Sequence, residues 1–577
     1  MASSIHQNIP DSAGMNVFHA DPALAELLRV YLAPEMLALA LPQLERMGAL
    51  VGGRLEELAL TADKNPPVLH IRARNGAPRE HIEKHPAYQE LERVAFGEFG
   101  LAAMSHRAGV FGADDKLPPL VKYALVYLFV QAEFGLCCPL SMTDSLTRTL
   151  VKFGSPDLVA RYIDQLTSQD MDALFQGSMF MTEQVAGSDV GAIDTTARFE
   201  DGEWRLYGDK WFCSNPDAAL GMVLARPEGG GAGTKGLSLF LLPRHLPDGR
   251  RNGYRILRLK DKMGTRSMAS GEIALEGATA YLVGDAGQGF KQMTDMINMS
   301  RLANGVRSAG LMRRSVNEAL FIARNRTAFG KRLIDLPLMR RQLMKMLVAA
   351  EQGRSMVFHT ARVLQASDGG DAGMAKVLRI LTPLVKFRTC RDARKVAGDA
   401  MEVRGGCGYI EEWSDARVLR DAHLGSIWEG TSNIVALDVA RAVRREDALS
   451  ALDAYLGGLA GETADVLGPQ PAIADGFRRA ADLLDAVAHD RAREIETRAA
   501  ASAVYNATSA GIMAWESARL TAVTNARAGD RLELAQAVVR HKLAARDPLA
   551  APEAAEAGAL ALIERTLGDG WTAEAAE

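Results

Sequence analysis

Glu429 sits between Trp428 and Gly430 in the run R-D-A-H-L-G-S-I-W-E-G-T-S-N-I, residues 420–434. A carboxylate beside an aromatic ring and a flexible residue can be partly desolvated, which disfavours its charged form and makes it a proton acceptor suited to neutral pH. Ile427 precedes this group, and Thr431 and Asn433 follow it with hydrogen-bonding groups. The same stretch also reads as a helix N-terminus, with Thr431 or Ser432 as its cap and Glu429 as a solvated carboxylate. On the residues alone both readings stand.

Two earlier segments carry ligand-type chemistry. Met181-Thr182-Glu183-Gln184-Val185-Ala186-Gly187-Ser188-Asp189-Val190 combines a glycine, which lets backbone approach a ligand closely, with the hydroxyls of Thr182 and Ser188. Taken alone it reads first as a turn with capping residues. Gly208-Asp209-Lys210-Trp211-Phe212-Cys213-Ser214-Asn215 sets aromatic rings and a hydroxyl on a strand, suited to packing a flat heterocycle, although strand aromatics are also ordinary core.

The elements that must hold these groups follow from periodicity. Residues 22–173 repeat apolar side chains at helical spacing, as in Leu24, Leu27, Leu28 and Tyr31. Between residues 177 and 284 the pattern shortens to strand-like runs at 195–199, 204–207, 222–225, 237–242 and 272–275, with Asp201-Gly202 as a hairpin turn and residues 229–233 as a glycine-rich loop. Helical spacing returns over 290–445, broken at Asp368-Gly369-Gly370 and at Gly405-Gly406-Cys407-Gly408, and an alanine-rich helical region follows Gly457, Gly458, Gly461, Pro469 and Pro471. The expected division is a helical domain over 1–175, a central antiparallel β-domain over 176–288, a helical bundle over 289–446, and a further helical region with a tail over 447–577. This α+β multidomain order lacks alternating βαβ units, so a doubly wound nucleotide-binding sheet is not expected.

The chain has 577 residues with 67 basic and 71 acidic side chains, a balance that gives no global attraction to nucleic acid or membrane. Five cysteines without a C-x-x-C pair argue against a disulfide framework or zinc site, so no metal is expected and a reducing, cytoplasmic setting fits. No secretory signal is read in residues 1–18. The longest apolar stretch, near 123–130, is shorter than the roughly 20 residues of a membrane span.

Taken in order, M-T-E-x-x-x-G-S-D-V, R-x-A-F-G at 326–330 and I-W-E-G-T-S-N-I resemble the acyl-CoA dehydrogenase superfamily of flavoproteins. His85-Pro86-Ala87-Tyr88, K-W-F-x-S at 210–214 and M-E-V-x-G-G at 401–406 look like its AidB-type, alkylation-response branch and extend the resemblance over about residues 15–446. It implies a helical, β-barrel-like, helical subunit that binds FAD non-covalently, in a homotetramer whose neighbouring subunits contact the cofactor. By the same resemblance, Met181, Thr182, Gly187 and Ser188 lie near the flavin, with Ser188 also at the CoA moiety, and Phe212, Cys213 and Ser214 line the isoalloxazine. Arg326 and Phe329 reach the partner's FAD. Gly405, Gly406, Ile427, Trp428, Gly430, Thr431 and Asn433 complete the cofactor site, and Arg301 matches an arginine near CoA. Glu429 is the implied base that takes the α-proton of an acyl thioester while the β-hydride passes to the flavin, and an electron-transfer flavoprotein is the implied acceptor.

The chain departs from the family pattern at four positions that bear on binding. Pro337 and Glu402 stand where many members carry FAD-contacting glutamines, Phe212 where many carry a flavin-side tryptophan, and Asn298 where an acid usually precedes the CoA arginine. Ser300 occupies the place of the alternative base and cannot serve as one. The branch is also associated with double-stranded DNA, bound through a basic C-terminal domain. Here residues 451–577 hold 12 Lys and Arg against 19 Asp and Glu, which disfavours that partner. Residues 301–450 hold 26 against 16, so a patch through Arg313, Arg314, Arg340 and Arg341 is conceivable, weighed against arginines that serve interfaces and cofactor phosphates.

Overall fold

The computed structural model describes residues 9–523, 527–545, 549 and 558–572. Packing divides the chain into two compact, discontinuous units: Glu57–Pro118 with Glu133–Ala303, and Met1–Glu56 with Pro119–Ala132 and Asn304–Glu577.

The first unit contains the main β-structure. A small hairpin, β1 (Val68–Arg72) and β2 (Pro78–Glu83), interrupts the N-terminal region expected to be wholly helical. Its strands are short, mostly exposed and rich in His and Arg, so they carry little alternation to read. The sheet that follows has seven strands: β3 (Gly177–Phe180), β4 (Thr196–Glu200), β5 (Glu203–Ser214), β6 (Leu220–Pro227), β7 (Ser238–Pro243), β8 (Tyr254–Leu259) and β9 (Ser270–Val283). Pairings β4–β5, β5–β9, β9–β7, β7–β6 and β6–β4 close it into a barrel, with β3 added to β6 and β8 to β9. The pairings are antiparallel except that β6 runs parallel to both β3 and β4. Asp201 and Gly202 both have positive φ, as the tight β4–β5 turn requires.

The barrel core is built from Phe180, Leu206, Cys213, Val223, Phe240 and Ile273, among others. The register of β5 against β9 shifts between Lys210 and Cys213. Such an irregularity resets the side-chain alternation, so Lys210 and Cys213 both point inward while Phe212 is left 57 % exposed.

The second unit is helical. Its long helices are Gly289–Asn325, which enters it at Asn304, then Pro337–Asp368, Ala372–Arg404 and Thr497–Val523. The helix break expected at residues 368–370 is present, because Gly370 takes a φ of 97°. A wholly buried ionic cluster ties the segments together. Glu351 pairs with Arg313, Arg354 and Arg531. Asp21, beside the first helix (Pro22–Tyr31), accepts from Arg354 at 2.6 Å, and Glu516 takes Arg531 and the Tyr31 hydroxyl. Burial opposes ionisation of Glu351, but the guanidiniums of Arg354, Arg531 and Arg313 outweigh it and hold the carboxyl down to about 2.

His359 extends the cluster, with Nδ1 3.2 Å from the Tyr31 hydroxyl and Nε2 2.7 Å from the Tyr455 hydroxyl. Burial, with the Arg362 charge adding to it, pulls its imidazole down to about 3. An unfolded-chain imidazole titrates near ~6.5, so below that pH the unfolded state takes up a proton the native state refuses, and stability falls with pH. Between roughly pH 7.5 and 5.5 this group alone removes about 1.4 kcal/mol. Urea midpoints at the two pH values should therefore fall further for the wild type than for His359→Gln; equal falls would contradict the assignment.

Candidate active site

In the β-unit, the backbone N–H of Trp211 donates to the Thr182 carbonyl at 2.8 Å and sets the two ligand-type segments side by side. Behind them lies an ion pair that sequence reasoning treated only as motif letters. The buried Lys210 ammonium donates to Glu183 at 2.6 Å and to the Leu224 carbonyl at 3.0 Å. Glu183 also accepts from the Asp194 N–H at 2.6 Å and the Thr195 hydroxyl at 2.5 Å. Burial works to raise the Glu183 carboxyl, but Lys210 and these hydrogen bonds outweigh it and hold it below its usual range. The clamp fixes both ends of residues 183–195, so Gly187 and Ser188 are presented on an exposed loop of defined shape.

The positions read from sequence fall into three groups. Thr182, Ser188 and Ser214 make no side-chain hydrogen bond among the described residues, and Phe212 offers an exposed ring beside them. Met181 is half-buried on the same segment. Cys213 differs, since its side chain is fully buried in the barrel core and its thiol is pushed up by that burial, so the thiol is not available to a ligand. Arg301 is buried on the Gly289–Asn325 helix.

In the helical unit, Glu429 lies on the turn between helices Ser414–Gly425 and Ser432–Glu446. The first helix ends where the Ile427 and Trp428 N–H groups donate back to Leu424. Glu429 and Gly430 then take φ of 57° and 97°, two successive left-handed residues that only the glycine adopts freely. Two buried cations hold this turn: Lys386 Nζ donates to the Gly430 carbonyl at 2.7 Å, and the Arg307 guanidinium lies 4.8 Å from the centre of the Trp428 ring. Thr431 occupies the N-cap position of the following helix, yet its hydroxyl makes no capping hydrogen bond. The capping alternative thus holds for backbone position but leaves the side chain uncommitted. Asn433 Oδ1 accepts weakly from Arg498, at 3.4 Å.

Arg326 and Gly405 come together, because Arg326 Nη1 donates to the Arg404 carbonyl at 3.4 Å and a Cβ on Gly405 would lie 3.9 Å from that nitrogen. Gly406 is exposed beside them. Phe329 and Gly330 form the two-residue turn of the hairpin Thr327–Ala328 and Lys331–Arg332, both with positive φ, and Phe329 projects with 93 % of its surface exposed. The basic patch imagined through Arg313 and Arg314 is not formed, since both are buried: Arg313 against Asp21 and Glu351, Arg314 against Glu56 and Glu318. Among the described residues no group of His, Cys, Asp and Glu could hold a metal, and none of the five cysteines is in a disulfide.

The unused hydroxyls and exposed ring of the β-unit suit a flat heteroaromatic group with polar edges, and in the helical unit an arginine beside a side-chain-free glycine suits a phosphate. Comparison with known proteins agrees. Residues 8–173 match the adaptive response protein AidB N-terminal domain, 178–278 the acyl-CoA dehydrogenase middle domain and 287–444 the acyl-CoA dehydrogenase C-terminal domain. The chain is 32 % identical over 441 residues to acyl-CoA dehydrogenase family member 11 of Caenorhabditis elegans, covering 74 % of this chain and 70 % of the relative. Against putative acyl-CoA dehydrogenase AidB of Escherichia coli it is 36 % identical over 402 residues, covering 68 % and 71 %. The solved structure of C. elegans ACDH-11 in complex with C11-CoA superposes with a TM-score of 0.86 at 28 % identity, over 95 % of this chain and 94 % of that one. The chain therefore belongs to the acyl-CoA dehydrogenase family and is an FAD-dependent oxidoreductase of that class. Within the family it falls in the AidB-type branch.

Removing one partner of the Lys210–Glu183 pair leaves an uncompensated buried charge, a loss of about 3–5 kcal/mol. Lys210→Met should lower the urea midpoint of the purified protein accordingly, and adding Glu183→Gln should restore a large part of it. If the double variant is no more stable than the single, the pair does not carry this role.

Proposed function

We propose that the chain dehydrogenates an acyl-CoA thioester across its α,β bond, with Glu429 as the base that takes the α-proton. The observation that carries this reading is the Glu429 turn, whose carboxylate is presented half-buried on a backbone fixed by Lys386 and Arg307. A base so held reaches one position repeatedly, which is what proton abstraction from a weakly acidic carbon demands. Bound FAD supplies the two-electron acceptor for the β-hydride. Thr182, Ser188, Phe212 and Ser214 would hold its ring, Arg326 and Phe329 would reach the FAD of a neighbouring subunit, and Gly405 and Gly406 would contribute to a dinucleotide site. Arg301 and Ser188 would receive the CoA part of the substrate.

Phe329, Leu338 and Tyr409 are large apolar side chains left exposed on the helical unit, and they support assembly into a homo-oligomer, a tetramer by family resemblance. An electron-transfer flavoprotein is the acceptor that fits this chemistry, and cysteines outside any disulfide accord with a reducing cytoplasm. No helix among the described residues is long and apolar enough to cross a membrane.

Glu429→Gln keeps the size of the side chain and removes the basic oxygen. With an artificial dye acceptor and a reactive thioester, kcat should fall by about 10²–10⁴-fold, the range for loss of a general base, while KM changes little. Retention of more than a tenth of the wild-type kcat would assign the base elsewhere.

A further inference from the structure

Apart from Pro337, which stands at an FAD-contacting position of the family, no residue discussed above for flavin or thioester lines the cavity of about 450 Å³ that opens in the helical unit. Its walls come from the first turns of the Pro337–Asp368 helix, from the middle of Ala372–Arg404, and from the C-terminal elements Ala528–Val538, Val539–Leu543 and Ala559–Thr566. The volume lies in the range of roughly 300–1,000 Å³ typical of small-molecule sites. Met344, Val348 and Val396 give it an apolar floor. Around that floor six Lys and Arg side chains face three carboxylates.

The carboxylates do not cancel this charge, because Asp392 and Asp399 each have a cation of their own and Glu533 shares Arg565 with Asp530. Asp392 accepts from Arg388 at 2.5 Å, Asp399 from Lys395 at 3.0 Å, and Glu533 lies 3.7 Å from Arg565. Lys345, Arg540 and Lys542 have no carboxylate partner among the described residues, while Arg340 donates from Nη2 to the Asp335 carbonyl at 3.3 Å and its charge helps lower the Asp335 carboxyl. The Nε atoms of Arg340 and Arg540 are shut off from solvent and donate to nothing. Planar guanidiniums with flanking ammoniums over an apolar floor match a phosphate carried on an apolar body. The overall acidity of residues 451–577 conceals this, since Arg540, His541 and Lys542 are consecutive and meet Arg340, Arg341 and Lys345 only in three dimensions.

We propose that this cavity is a second ligand site that binds an amphiphilic organic phosphate, an anion whose phosphate meets Arg340 and Arg540 and whose apolar part rests on Met344, Val348 and Val396. A nucleotide and an acyl-chain phosphate share this chemistry and differ only in the apolar part.

The test is calorimetric titration of the flavin-loaded, full-length protein with ATP, with dodecyl phosphate and with inorganic phosphate, while the flavin spectrum is monitored. One amphiphile should bind once per chain, at least about tenfold tighter than inorganic phosphate, with the flavin spectrum unchanged. Preference for ATP identifies a nucleotide source, and preference for dodecyl phosphate a lipid one. Arg540→Gln and, separately, the exposed Lys345→Glu should each weaken binding about tenfold or more; two variants guard against one that fails to fold. Four results would overturn the proposal: no binding of either amphiphile, equal binding by wild type and folded variants, release of flavin by the ligand, or binding of duplex DNA alone with a steep salt dependence.

Discussion

Three arginines from three helices converge on one carboxylate, Glu351, with no solvent to dilute the attraction. Burying that many charges is worthwhile only when all are matched, and this requirement fixes the relative placement of the helices that carry them. Arg313 shares a helix with Arg307, which stacks over Trp428; Glu351 and Arg354 lie on the helix that packs beside the one carrying Lys386. The cluster thus determines where the supports of the Glu429 turn stand. Arg531, near the C-terminus, and Asp21, near the N-terminus, both enter it, so the C-terminal helices beyond the family's shared bundle are integral to the framework of the helical unit.

The β-unit depends on the same physics at smaller scale. Lys210 and Glu183 exchange one buried charge pair, and the register shift in β5 allows Lys210 to point inward without turning Phe212 inward as well. A polar core interaction thereby shapes a surface loop and an exposed aromatic ring. In both units, residues far from any reacting atom decide the orientation of those that would touch a ligand.

Much of this was legible in the sequence. The barrel strands were visible because their apolar runs are short and bounded by Asp-Gly or glycine-rich turns, and the long helices because their periodicity persists over many turns. The β1–β2 hairpin was not, because its alternation is buried in polar residues such as His70, Arg72 and His81. Motif order gave Glu429, Phe212 and Gly405, but not Lys386, whose only signal is a cation inside the apolar run Leu384-Val385-Lys386-Phe387. Arg313 and Arg314 look like surface charge in one dimension and are internal in three. The basic cavity escaped for the opposite reason, its walls being scattered over more than two hundred residues.

The central claim is that the protein takes a proton and a hydride from an acyl-CoA thioester. Anaerobic mixing of the flavin-loaded wild type with saturated acyl-CoA thioesters of graded chain length, followed in the visible flavin band, tests this most directly. Stoichiometric bleaching by at least one thioester, with formation of the 2-enoyl product, is the expected result. A protein that holds its flavin and is bleached by none of them would contradict the account.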